Sequence, residues 1–307
     1  MAFAISTTWN AALHNNADAI VGQICELHLK NLELSFNLSS QIVQEFLTLK
    51  EQGVIHIHSV HNFCPVPDDH NRLTFLPDSF SLSDTDETQR IKAVNLTCGS
   101  LRTAKDIGAK ALVIHAGRVE MQQLTKKLAA LYEQGLKGSQ VYNELLTQMR
   151  IERQSKKEPY FRALLRSIET LLPEAANLEI KLCLENRYYF REFPSLDEFA
   201  EIFGYFNDNK YLFYWHDTGH AQVAENLGFF SHSDYLKRYA HKMCGIHIHD
   251  ASGASDHQPP GQGNLDFRML IPYLNAEMIK VLEIHQPATA AQIDKSISYL
   301  TNIGIDG

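Results

Sequence analysis

Seven residues able to carry a proton or hold a metal ion lie in or close short apolar runs: Glu33, His61, His115, Glu185, Asp217, His247 and Glu283. Across the second half of the chain their spacings are 32, 30 and 36 residues. Taken singly, a carboxylate in such a position is a helix cap or ion-pair partner, and a histidine is a hydrogen-bonded core residue. Seven in phase point instead to one shared site. Carboxylates crowded together repel and stay protonated unless a cation offsets them, so the pattern predicts one divalent ion. A mixed set of two Glu, one Asp and one His suits Mn, Mg, Co or Zn. It lacks the thiolates of a structural zinc site.

These residues need a scaffold that brings strand ends together. Strand-like runs occur at 3–6, 32–36, 54–58, 111–115, 180–185, 212–216, 245–249 and 279–284, eight in all. Between them lie segments with helical spacing, such as Ile42-Val43-Phe46-Leu47 and Leu196-Phe199-Ile202-Phe203. Ser195 followed by Leu-Asp-Glu predicts a helix start, and Gly53 and Gly108 predict two helix ends. Strand–helix alternation implies a parallel sheet. Eight units of about 31 residues make roughly 250, the size of a closed barrel. The reading is therefore α/β: a single (β/α)8 barrel domain over residues 1–307, with a mouth loop at 62–88. A helical insertion at about 118–178 separates strands four and five. In such barrels the C-terminal rim of the strands carries the chemistry. A doubly wound open sheet is the alternative, but its Gly-x-Gly-x-x-Gly turn after the first strand is missing.

Composition narrows the partners. The 307 residues are 44% hydrophobic and 21% charged, with a net charge of −8 that weighs against a phosphate-backbone partner. Mean hydropathy of −0.24 and the lack of any long apolar run argue against a membrane span. The first ten residues have no basic stretch of the signal-peptide kind. Cys25, Cys64, Cys98, Cys183 and Cys244 are odd in number and widely spaced, which reads as reduced thiols in a cytoplasmic protein. The Phe and Tyr content is compatible with a homo-oligomer if part of it forms an exposed patch.

The ordered set of motifs resembles the xylose isomerase-like barrel superfamily, which includes sugar phosphate isomerase/epimerases and the apurinic endonuclease IV branch. The resemblance spans residues 3 to 286. It rests on Leu32-Glu-Leu, Ser59-Val-His-Asn, Val113-Ile-His-Ala-Gly, Leu184-Glu-Asn-Arg, His216-Asp-Thr-Gly-His-Ala, Ile246-His-Ile-His-Asp, Pro260-Gly-Gln-Gly and Leu282-Glu-Ile. It implies Glu185, Asp217, His247 and Glu283 as the metal ligands, with Glu185 and Glu283 also the catalytic proton-transfer pair. His61, His115, His220 and His257 match positions that bind substrate or further metal in one branch or another. Arg187 and His249 join them as candidates to bind or support. The implied activity is isomerisation or epimerisation of a sugar, sugar phosphate or polyol. A proton next to a carbonyl would be moved through an enediolate stabilised by the ion.

Two alternatives stand beside that reading. An endonuclease IV-like zinc phosphodiesterase acting on abasic DNA needs an Asp-x-His pair, but Ser255 occupies the aspartate position and Asp256 is one residue off. A non-catalytic barrel binding metal or sugar is the other. Gly261 and Gly263 offer either backbone N–H groups for an anion or plain turn chemistry. Trp9 and Trp215 offer either a stacking face for a sugar or barrel packing.

Overall fold

Eight parallel strands close into a barrel in the computed structural model, which describes residues 3–306. They are β1 (Ala4–Ser6), β2 (Asn31–Leu34), β3 (His56–His61), β4 (Ala111–Ile114), β5 (Lys181–Glu185), β6 (Leu212–Asp217), β7 (Met243–Ile248) and, after a hairpin of β8 (Asp250–Ser252) and β9 (Ser255–Gln258), β10 (Ile279–Leu282). Strand β10 pairs with both β7 and β1, which closes the ring. The helices are α1 (Ala17–Cys25), α2 (Ser40–Glu51), α3 (Glu87–Ile107), α4 (Thr125–Glu133), α5 (Gln140–Leu178), α6 (Leu196–Tyr205), α7 (Thr218–Asn226), α8 (His232–Tyr239) and α9 (Ala290–Asn302).

Local signals set the boundaries. Ser195 and Glu198 form a reciprocal capping box at the start of α6, and Gly53 and Gly108 turn in the left-handed region at φ 72° and 76°. Strand β3 departs from the sequence pattern, starting two residues later and reaching His61. The cause is the end of α2: the Val54 N–H still donates to Leu49 O, and the ladder begins only where His56 N–H meets Lys30 O. His61 thereby becomes a strand-end residue.

Side chains alternate across each strand. Val113, Cys183, Trp215 and Val281 point into the barrel and form an apolar plug with Ala4, Ala111, Cys244 and Ile279. Two residues on along each strand, on the same face, come His115, Glu185, Asp217 and Glu283. Gly245 lies beneath His247 in the same way; a Cβ there would sit 2.3 Å from Trp215 Cζ3, so glycine makes room for the indole. The intervening residues, among them Leu112, Leu182, Tyr214, Ile246 and Leu282, face the helices and form the main core. The site is thus one pleat repeat above a dry floor.

The long helix α5 has two tasks. From Phe161 onward it packs in the main core. Its first part joins α4 over a second core in which Leu128, Tyr142, Leu145 and Met149 meet Val223, Leu227 and Phe229. The insertion therefore braces α7, and Phe190 packs on Phe229 of this second core with the rings tilted and their centroids 4.8 Å apart. Trp9 and Trp215 are both buried, at 1% and 0% exposure, so each serves packing. All five cysteines are free thiols. No described helix is long and apolar enough to cross a membrane.

Candidate metal centre and active site

Glu185, Asp217 and His247 end or nearly end β5, β6 and β7, and Glu283 follows β10. One ligand atom from each lies within 4.8 Å of the others, and all four residues are buried. Measured from His247 Nδ1, Glu283 Oε2 is at 3.1 Å, and Glu185 Oε1 and Asp217 Oδ2 are each at 3.7 Å. Four ligands about 2.1 Å from one ion stand roughly 3.4 Å apart in a tetrahedral arrangement. Nδ1 is a buried nitrogen without any hydrogen bond. The opposite ring nitrogen, Nε2, faces both oxygens of Glu33 at 3.0 and 3.1 Å and so carries the proton. Burial alone would lower His247, yet Glu283 and Glu33 raise it well above the usual histidine range, so without metal Nδ1 carries a proton toward three carboxylates. A divalent cation would take that proton's place, and these residues fit one.

The Asp-Thr-Gly-His segment is explained by what crowds it. Asp217 Oδ1 accepts the His220 N–H at 2.7 Å, capping α7, and Oδ2 meets His249 Nε2 at 2.9 Å. The other His249 nitrogen, Nδ1, accepts the His257 N–H, so Nε2 donates to Asp217. Both ring nitrogens of His249 are used, so in this arrangement it supports Asp217, while one atom each of Asp217, His220, His249 and His257 also lies within 4.8 Å of the others, a second group that could hold a metal ion. Thr218 Oγ1 clasps the backbone of the same histidine. A Cβ on Gly219 would fall 2.2 Å from the His249 ring. Gly219→Ala is expected to push that ring off Asp217 and weaken divalent-metal binding at least tenfold. Metal titration of the variant checks this, and unchanged affinity would refute it.

Asp250 faces away from the cavity and holds the Pro260-Gly-Gln-Gly turn. Its Oδ2 accepts the N–H groups of Gly261 and Gly263, both at 2.9 Å. A Cβ on Gly263 would lie 2.4 Å from Asp250 Oδ1. Those N–H groups are spent, so the turn offers no anion site and the glycines are there for close approach.

Two further histidine groups flank the four. His61 Nε2 and His115 Nε2 approach Glu185 Oε2 at 3.4 and 3.1 Å. Their other nitrogens face Asn62 O and Asp78 Oδ1. On the other side His220 Nδ1 lies 3.1 Å from Glu185 Oε1, and its Nε2 is 3.5 Å from Asp256 Oδ2, a buried oxygen without a hydrogen bond. The β8–β9 hairpin turns Asp256 inward beside His257, so the off-register aspartate does supply a carboxylate. Arg187 is fully engaged by Glu185, Glu192 and Asp78. His249, His257 and His285 stack at 4.2 and 3.8 Å, nearly parallel. Stacked imidazoles cannot both point in-plane at one ion, which argues against a metal shared by His257 and His285.

Burial alone would raise Glu185, yet Arg187 and His115 hold it well below the usual carboxylate range. Glu283 is likewise held down against burial, by His247 and His257, and Asp217 by His220 and His249. The counterpart is that His115 rises to about 9 and His257 to about 10. Burial opposes both shifts, and Asp78, Glu185 and Asp256 outweigh it. In the metal-free chain, histidine protons and Arg187 therefore supply part of the positive charge. Carboxylate repulsion alone did not require a metal; the convergence of one ligand atom each from Glu185, Asp217, His247 and Glu283 within 4.8 Å is the sharper sign.

A cavity of about 310 Å³ opens over this arrangement, lined by Glu185, Glu283, His61, His115, His220, Asp256 and His257 with Phe36, Tyr188 and Tyr189. Asp217 and His247 lie beneath its floor.

The xylose isomerase-like TIM barrel family model matches residues 23–303. The chain belongs to this family. No curated protein matches it in sequence. Among solved structures it is similar to a D-tagatose 3-epimerase-like protein, with 18% identity, TM-score 0.68, and 99% of this chain and 97% of that one covered. It is also similar to the 3-keto-D-glucoside 4-epimerase YcjR from E. coli, with 15% identity, TM-score 0.68 and coverage of 98% and 99%. An IolI protein with a bound zinc atom aligns at 15% identity, TM-score 0.62 and coverage of 99% and 98%.

Asp78, Glu192 and His285 also meet the site of this family member, and the sequence pattern did not single them out. Only His285 left a signal, being two residues past Glu283 and so on the same face. Glu192 is pushed up to about 7 by burial, which the Arg187 charge only partly offsets.

Behind the site, a polar chain runs outward from Asn186, which clasps the Asp217 backbone, to Tyr214, His216 and His232. Burial pulls His232 down to about 4. Unfolded, it would titrate near 6.5, so between pH 6.5 and 4 the unfolded chain binds the extra proton. This contribution is complete above pH 6.5 and is lost as pH falls, by about 3 kcal/mol at most. His232→Gln is expected to flatten the acid limb of stability in urea melts run from pH 7 to pH 4. An unchanged limb would count against this assignment.

Proposed function

We propose that the protein is a divalent-metal-dependent isomerase or epimerase of a sugar, sugar phosphate or related polyol. The observation that carries this reading is His247 Nδ1, unbonded and buried, facing Glu185, Asp217 and Glu283. Membership of the family and similarity in fold to sugar epimerases support it. Glu185, Asp217, His247 and Glu283 would hold the ion, a donor set that suits Mn, Mg, Co or Zn. When bound, it would supply Lewis acidity toward a carbonyl and an adjacent hydroxyl.

The two glutamates are unequal. Glu185 is surrounded by Arg187, His61, His115 and His220. That many partners lower its basicity and suit it to a ligand role. Glu283 has His247 at 3.1 Å and His257 at 3.7 Å, and it lies on the cavity wall. It is the better proton acceptor, with Glu185 returning or sharing the proton from the other side. His257 and His220 can bind substrate hydroxyls, and Tyr188 and Tyr189 limit water above them. Arg187 acts by holding Glu185, Glu192 and Asp78 in place.

The phosphodiesterase reading gains two further groups that would suit additional zinc, Asp217, His220, His249 and His257 on one side and His61, His115 and Glu185 on the other, with Asp256 beside His220. The net charge of −8 still disfavours DNA. Incubation with a panel of ketoses and ketose phosphates in deuterium oxide, read by NMR, separates the readings. Deuterium entering the carbon next to the carbonyl is expected. No exchange with any sugar, together with cleavage of abasic DNA, would overturn the isomerase reading.

A further inference from the structure

Glu33 is fully buried at the end of the barrel's second strand, next in register to Ser6 and Ser59. It does not line the cavity, so it touches no substrate. Burying a carboxylate is costly unless it is paired. Its side-chain partners among the described residues are Ser59, whose hydroxyl donates to Oε2 at 2.8 Å, and His247, which lies 214 residues away and reaches both oxygens through Nε2. Strands β2 and β7 are not neighbours in the ring, so the contact crosses the barrel interior.

We infer that Glu33 is a positioning residue that makes His247 a metal ligand, and that Ser59 fixes Glu33 in turn. The inference rests on the metal-dependent reading of the site. Two effects follow from the contact. Holding a proton on Nε2 leaves Nδ1, the atom that faces Glu185, Asp217 and Glu283, as the nitrogen whose lone pair a metal would take. The negative charge behind the ring also raises the electron-donating power of Nδ1. Fixing the ring plane with two oxygens keeps that lone pair aimed, because Trp215 packs edge-on against the same ring at 5.1 Å and leaves it little room. Carboxylates behind metal-bound histidines typically matter by 10–100-fold in affinity.

The test is titration of metal-free protein with Co(II), followed by the visible absorption of the bound ion, for wild type, Glu33→Gln, Glu33→Ala and Ser59→Ala. Thermal midpoints of the metal-free forms are measured alongside. Co(II) affinity is expected to fall about 10–100-fold in Glu33→Ala. Glu33→Gln should fall less, because its amide oxygen still accepts from Nε2, and Ser59→Ala should fall least. A Glu33 that only stabilises the fold would lower the midpoint of Glu33→Ala and leave Co(II) affinity and spectrum unchanged, and that result overturns the inference. Wild-type protein that binds no Co(II) would overturn the metal-dependent reading itself, and the inference with it.

Discussion

Glutamine at position 283 is expected to slow sugar isomerisation or epimerisation about 100- to 10,000-fold, the range typical for losing a positioned acid–base group. The substitution keeps the side-chain shape and one ligand oxygen but removes the atom able to take a proton. Glu283 is 4% exposed, on the cavity wall, with His247 and His257 as its ion-pair partners among the described residues. Metal affinity should fall too, because Glu283 is one of the four ligands, so the rate is read with metal in excess. Steady-state kinetics on the substrate found by deuterium exchange check the rate, and elemental analysis checks retention. Glu185→Gln should lose more metal than Glu283→Gln, because Glu185 also anchors His61, His115, Arg187 and His220. Near-normal turnover by Glu283→Gln would remove it from the chemistry.

Asp217→Asn is expected to weaken divalent-metal binding by more than the 10–100-fold usual for groups behind the ligands. Asparagine keeps one oxygen that can accept the His220 N–H, so the cap on α7 survives, but its amide NH2 then meets the donating His249 Nε2–H and about 1–3 kcal/mol of stability is lost. The missing charge is what counts: Asp217 is fully buried, with His249 and His220 held against it. Calorimetric titration with Mn(II) or Zn(II), paired with a thermal melt, separates the two effects. A variant that binds metal as wild type does would exclude Asp217 from the coordination set.

The barrel was legible because each strand is a short apolar run and each rim residue follows its interior neighbour by two. Val113 and His115, Cys183 and Glu185, Trp215 and Asp217, and Val281 and Glu283 all obey this period. The helical insertion was legible from its leucine spacing, though not that it would brace α7. Residues outside the strand period were harder to see. Asp78 sits in the mouth loop, whose path is set by tertiary contacts such as Arg72 to the Ala11 and Asn37 carbonyls. Asp256 is one residue off in the linear register, but the β8–β9 hairpin carries an irregularity and the side chain comes to lie beside His220. Glu33 was visible as a rim carboxylate, but a partner 214 residues away leaves no local trace.

Metal content per chain tests the central claim most directly. Protein loaded with Mn(II), Co(II) or Zn(II) and freed of excess should hold one ion per chain by elemental analysis, and the Asp217→Asn form should hold almost none. Wild-type protein that retains no ion would contradict the account, as would one whose ion persists when Asp217 has lost its charge.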